Sequence, residues 1–137
     1  MSTRCHVVLK DEHAEQWFYR HCDGYPDGTL PTLFEFMTWI KDKKIRDNVQ
    51  QSSGWLIMIG AIEYSDFTSD ITQPHKWKVG AYEPCPEGYH SDIQYIYTID
   101  VEKNKLEVYD LSNDRKTTFS YEDLLDMSLN EDFQVIR

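Results

Sequence analysis

Long apolar stretches are missing from this sequence. The longest, Trp55 to Ile62, runs eight residues, far short of the roughly 20 that a membrane-spanning helix needs. Residues Met1 to His6 contain no apolar segment of leader length, so neither anchoring nor export is expected. Cysteine is scarce. Cys5, Cys22 and Cys85 cannot all pair within one chain, and unpaired thiols point to a reducing cytoplasm. Positive charge is short as well: 14 Lys and Arg stand against 24 Asp and Glu, a net charge of −10. Phosphate backbones and anionic membrane surfaces would repel such a chain, so direct nucleic-acid or membrane binding is not expected. There is no internal repeat, Gly-rich phosphate loop, dinucleotide fingerprint or nucleophile elbow. Gly24, Gly28 and Gly88 stand alone in turns.

What the chain does have is size and aromatic content. At 137 residues it has the length of one domain, 1–137, with a single hydrophobic core. Hydrophobic residues make up 40% and aromatics 14%, a share that suits both a core and a recognition surface. The carboxylates are dispersed in pairs such as Asp11-Glu12 and Glu122-Asp123, the pattern of a solvated surface.

The hydrophobic pattern predicts strands over Cys5–Lys10 and Trp17–Cys22. In the second, Trp17, Tyr19 and His21 share one face and Phe18, Arg20 and Cys22 the other. A turn-rich loop, Asp23 to Gly28, leads to a helix with Thr29 as cap, a stripe of Leu30, Leu33, Phe34, Met37 and Ile40, and an end near Lys43. A second helical segment carries Ile45 and Val49 on one face. Ser52-Ser53-Gly54 is a potential break before the buried run Trp55–Ile62, whose type the periodicity leaves open. Residues 65–76 read as a surface connection, and Trp77–Tyr82 as a strand ended by Pro84-Cys85-Pro86. A hairpin joins Asp92–Val101 to Leu106–Leu111 through a turn with Asn104 in the left-handed region. Ser120 caps a short helix with Asp123 as its capping-box partner, and Phe133–Ile136 reads as a last strand. The fold class that follows is α+β: an antiparallel sheet with two or three helices packed on one face.

Two segments carry residues suited to chemistry. His21 and Asp23 stand two apart at a strand end beside Tyr25, and His90 and Asp92 repeat the spacing ahead of Tyr95. An imidazole oriented by a carboxylate can act as general base. If the two strands are neighbours, His21, Asp23, His90 and Asp92 converge, with Tyr25 or Tyr82 nearby, on a site for proton transfer or a polar ligand. The competing reading makes the carboxylates turn caps and the histidines packing residues. Cys85 and His90, with Cys22, His21 or Asp23, could supply metal donors, but none of the usual zinc spacings is present and no metal or other cofactor is expected.

The stretch Tyr19-Arg20-His21-Cys22-Asp23-Gly24-Tyr25-Pro26 resembles a Y-x-H-x-D-G-Y-P signature of small uncharacterised bacteriophage and prophage proteins, and Asp92, Tyr95, Tyr97 and Asp100 are similar to a second motif of that family. Cys22 departs from it, standing where an aromatic is commoner. The resemblance implies a phage or mobile-element protein in a bacterial cytoplasm, and no mechanism. Acidity, abundant Tyr and Trp and the incomplete catalytic set favour a binding module that engages a host or phage protein. The alternatives are a small enzyme or nucleotide-type ligand binder using His21, Asp23, Tyr25, Tyr82, His90, Asp92 and Tyr95, and a self-associating component.

Overall fold

The computed structural model describes residues 3–64 and 82–129. The expected connection over 65–76, strand residues 77–81 and the strand over 133–136 lie outside them. Among the described residues the elements are β1 (Cys5–Lys10), β2 (Glu15–Arg20), α1 (Pro26–Lys41), α2 (Val49–Tyr64), β3 (Glu83–Cys85), β4 (Tyr95–Asp100), β5 (Lys105–Asp110), β6 (Arg115–Ser120) and α3 (Tyr121–Leu129). The fold is α+β. The strands form one sheet in the order β3-β2-β1-β4-β5-β6. It is mixed rather than wholly antiparallel: β1 and β4 at its centre run parallel, His6 opposite Ile96, and every other pair is antiparallel.

Period-2 alternation decides what each side of the sheet carries. Cys5, Val7 and Leu9 of β1 and Phe18 of β2 point to one side, with Tyr97, Ile99, Leu106, Val108 and Phe119 from the later strands. There they join Leu30, Leu33, Phe36, Met37 and Ile40 of α1, Leu56 and Ile59 of α2 and Leu124 of α3 in one core. Burying each such side chain contributes about 1.5–3 kcal/mol, so this side fixes the register. The opposite side carries Trp17, Tyr19, His6, Val8, Ile96, Thr98, Tyr109 and Cys85. No described helix contributes to it.

The junction between β2 and α1 departs from the sequence expectation. α1 begins at Pro26, and Tyr25, with extended backbone, is its N-cap. Pro at the first helical position needs no N–H partner. Thr29 is therefore not the cap. It is buried, and its hydroxyl donates to the Asp23 carbonyl at 2.8 Å. Phe36 takes the core position in the stripe, and Phe34 is half-buried.

α2 runs unbroken through Ser52-Ser53-Gly54, starting where Asn48 Oδ1 accepts the Gln51 amide at 2.8 Å. Its apolar run is not buried throughout: Leu56 and Ile59 enter the core while Trp55, Ile57 and Met58 are exposed. β3 includes Pro84 and Cys85, where the sequence suggested an end. Proline is tolerated because β3 is an edge strand. The β4–β5 hairpin follows its pattern, with Asn104 at φ 54°. β6 was not expected from its polar sequence. Ser120 and Asp123 form a reciprocal capping box at α3, 2.9 and 3.1 Å. Among the described residues no helix is long and apolar enough to cross a membrane.

Candidate functional site

The side of the sheet opposite the described helices gathers aromatic rings and imidazoles around its β3 edge. β1 and β2 pair with His6 opposite Tyr19, and Cys85 of β3 stands opposite Trp17. Gly88, at φ 62°, and the Tyr89 amide, which donates to the Pro86 carbonyl at 3.2 Å, form the turn that precedes Tyr89 and His90. A left-handed position of this kind suits glycine. The His90 ring stacks on Tyr19, centroids 3.6 Å apart and planes 14° from parallel. His6 meets Trp17 edge-on at 5.2 Å, and its ring is tilted 54° from that of His90 at 5.4 Å. Tyr89 is 69% exposed and meets His90 edge-on at 5.1 Å.

His6 Nε2 lies 3.3 Å from His90 Nδ1. His6 has no solvent exposure, and its Nδ1 has no hydrogen-bond partner among the described residues. Burial first, and the neighbouring His90 second, hold its pKa down to about 4, so the ring is neutral at neutral pH. The Cys85 thiol joins these two residues, and one donor atom from each of the three lies within 4.8 Å of the others. Burial, then Glu83, pushes the Cys85 pKa up.

The residues singled out from the sequence do not share one pocket. His21 and His90 are linked through Tyr19, whose hydroxyl is 2.7 Å from His21 Nδ1 and whose ring underlies His90. His21 Nδ1 thus meets the Tyr19 hydroxyl and His90 Nδ1 meets His6, and among the described residues neither imidazole has the carboxylate partner that would orient a general base. Asp92 pairs with Arg4. Asp23 sits at φ 58° in the β2–α1 junction, its carboxylate 3.4 Å from the Tyr25 hydroxyl. Tyr82 is buried, with its hydroxyl bonded to Thr32 and the Arg20 guanidinium 5.1 Å from its ring centroid. Tyr95 points to the core side, its ring stacked on Tyr97 at 6.0 Å. Cys22, His21 and Asp23 are not members of the donor cluster around Cys85 and His90. Its third member is His6.

Sequence reasoning missed His6, Tyr19 and Trp17 as site residues. One local signal existed, since alternation in Cys5–Lys10 sets His6 on the side away from Cys5, Val7 and Leu9. A second feature was also missed. A cleft of about 690 Å³ at the end of α1 brings Lys41, Lys43, Lys44, Arg46 and Lys103 together with Asp47 and Glu102. Comparison of the chain with family models, with curated proteins and with solved structures finds no match.

Proposed function

We propose that the protein is a binding module that engages a host or phage protein through the ring cluster around Tyr89 and His90, in a bacterial cytoplasm as its resemblance to phage and prophage proteins implies. The observation that carries this reading is the continuous series of ring contacts from Trp17 through His6 and His90 to Tyr89, which ends in a largely exposed tyrosine. Rigid Tyr and Trp side chains on a packed support are the usual anchors of protein interfaces. The enzyme alternative is less well supported, because among the described residues His21 and His90 have no carboxylate partner of the kind it requires. An acidic mimic of nucleic acid is less well supported too, since exposed carboxylates occur on α1 (Glu35), β3 (Glu83) and α3 (Glu122) alike.

The test is a photo-reactive amino acid placed at position 89, with position 35 on α1 as control, in bacterial cytoplasmic extract. A discrete protein adduct at 89, competed away by unlabelled protein and not formed from 35, is the expected result. Equal labelling from both positions, or none from 89, removes the reading.

The basic cleft favours a second reading, binding of a nucleotide-type anionic ligand. It predicts that ATP binds the wild type and binds Lys41→Glu/Arg46→Glu at least about tenfold more weakly, a loss of about 1.4 kcal/mol. Titration calorimetry that detects no ATP binding ends it.

A further inference from the structure

We propose that His6, Cys85 and His90 form a binding site for a zinc-type divalent transition-metal ion. The geometry of the two imidazoles is the main ground. Nitrogens bonded at about 2.0–2.1 Å to a tetrahedral ion lie about 3.3–3.4 Å apart, and His6 Nε2 and His90 Nδ1 are 3.3 Å apart. A thiolate sulfur at about 2.3 Å would lie about 3.6 Å from each nitrogen. The donors are already within 4.8 Å of one another, which leaves Cys85 a closure of about 1.2 Å at most.

The backbone holds the three residues on independent supports. His6 is in the central strand β1, between β2 and β4, Cys85 is paired in the ladder opposite Trp17, and His90 is stacked on Tyr19 after the Pro86–Tyr89 turn. Two imidazoles and a thiol form a borderline-soft set that selects zinc and its neighbours over calcium or magnesium, which take oxygen donors. Three protein donors leave the fourth tetrahedral position to water or an external ligand, the arrangement of exchangeable and catalytic sites rather than closed structural ones. Cys85 and His90 are half-buried, so such a ligand can reach it. On coordination the Cys85 S–H bond breaks, the sulfur binds as thiolate, and its proton passes to solvent.

Packing alone explains these residues poorly. A hydrogen bond between the imidazoles accounts for the 3.3 Å contact but gives Cys85 no part. Either arrangement engages His6 through Nε2 and leaves its Nδ1 without a partner among the described residues, so Cys85 is what separates them. The inference does not rest on the docking reading, because the sheet holds the donors whether or not a protein covers Tyr89.

The test uses the full chain, reduced and stripped with a chelator, then titrated with Co²⁺ and back-titrated with Zn²⁺. The expected result is one ion per chain, a sulfur-to-cobalt charge-transfer band with d–d bands of tetrahedral intensity, and their loss on adding Zn²⁺. Cys85→Ser should abolish the charge-transfer band. Both Cys85→Ser and His90→Ala should weaken binding by more than about tenfold, the loss that even outer-shell partners can cause, while Cys22→Ser keeps wild-type affinity. Circular dichroism checks that each variant is folded. If His90→Ala is not, the half-buried, near-isosteric Cys85→Ser decides alone. No uptake of Co²⁺, uptake without the sulfur band, or wild-type affinity in a folded Cys85→Ser or His90→Ala overturns the site.

Discussion

The guanidinium of Arg20 and the carboxylate of Glu63 meet in a two-armed ion pair, 2.7 Å on each arm, that ties the end of β2 to the last turn of α2. Arg20 is fully buried and Glu63 retains 22% exposure. Arg20 also donates to the Gly28 carbonyl at 2.9 Å. Removing one member of a buried pair strands the other charge, which typically costs about 3–5 kcal/mol. Because Glu63 touches water, Glu63→Ala should fall near the low end, about 3 kcal/mol. Arg20→Met/Glu63→Ala should cost less than the sum of its two single changes. Denaturant unfolding of the four proteins measures this. A coupling below about 0.5 kcal/mol would show that the pair does not hold the two elements together.

Gly24 packs the connection between β2 and α1 against the residues that lead into β1. A Cβ there would stand 2.8 Å from the Thr3 carbonyl oxygen and 3.0 Å from the Arg4 carbonyl carbon, both backbone atoms that cannot swing aside. Its amide donates to that same Thr3 oxygen at 2.9 Å, and its carbonyl accepts the Tyr97 hydroxyl at 2.7 Å. Gly24→Ala should therefore destabilise by about 1–3 kcal/mol, as overpacking does. Tyr97→Phe, which leaves the carbonyl without its side-chain donor, should lose about 1–2 kcal/mol. Thermal unfolding decides. Wild-type stability in Gly24→Ala would contradict the close approach.

These two residues show which parts of the fold could be read in advance. The β4–β5 hairpin, with Asn104 in its turn, and the capping box at Ser120 were legible because their determinants lie within a few residues of each other. So was the division of β2 into a Trp17–Tyr19 side and a Phe18–Arg20 side. That division sets a charged residue beside Phe18, facing the core, and it was the available hint of a buried pair. Its partner Glu63 is 43 positions away, and nothing local points to it. The parallel pairing of β1 with β4 and the meeting of His6 with His90, 84 positions apart, are likewise fixed by tertiary packing. Thr29 misled for a related reason. It has the chemistry of a cap, but Pro26 lets the helix start four residues earlier, with Tyr25 as cap, and the hydroxyl is spent on Asp23.

The end of α1 carries strain that a substitution can relieve. Lys44 donates to the Trp39 carbonyl at 2.9 Å and Lys43 to the Ile40 carbonyl at 3.1 Å, the two bonds of a Schellman motif, with Lys43 at φ 58°. A non-glycine residue in this region costs about 1–2 kcal/mol, and glycine returns part of that through its extra freedom in the unfolded chain. Lys43→Gly should raise stability by about 0.5–1 kcal/mol, read as a higher denaturation midpoint at unchanged m-value. A drop in the midpoint would mean that the lysine side chain contributes more than its backbone strain.

Asp11 supplies a pH-dependent tie between the first hairpin and α2. Its carboxylate accepts the Val49 amide at 2.8 Å and the His13 and Ala14 amides at 2.7 and 2.8 Å. The Val49 bond first, and the His13 bond next, hold its pKa below the usual value. A carboxyl more acidic in the folded than in the unfolded state stabilises above its unfolded pKa, and that contribution is lost as pH falls through the folded value. Asp11→Asn should therefore melt below wild type at neutral pH, and the two melting temperatures should converge as pH drops through the carboxylate range. A constant gap across that range would show that the charge on Asp11 plays no part.

Cys5 and Cys22 should separate by reactivity. The thiolate is the reactive species. Cys5 is fully buried among Val7, Phe18 and Tyr97 on the core side of β1, and burial pushes its pKa up to about 12, against smaller opposing effects from Arg20 and Thr29. Neither ionisation nor access is open to it in the folded protein. Cys22 is exposed beside His21 at the end of β2. Iodoacetamide at neutral pH should modify Cys22 in the native protein, and Cys5 at the rate of global opening, so that Cys5 labelling rises in step with unfolding as denaturant is added. Peptide mass spectrometry across a denaturant series reads both sites in one experiment. Prompt labelling of Cys5 without denaturant would mean that β1 opens locally. The His6 donor on the same strand would then lose the rigid placement that the metal site requires.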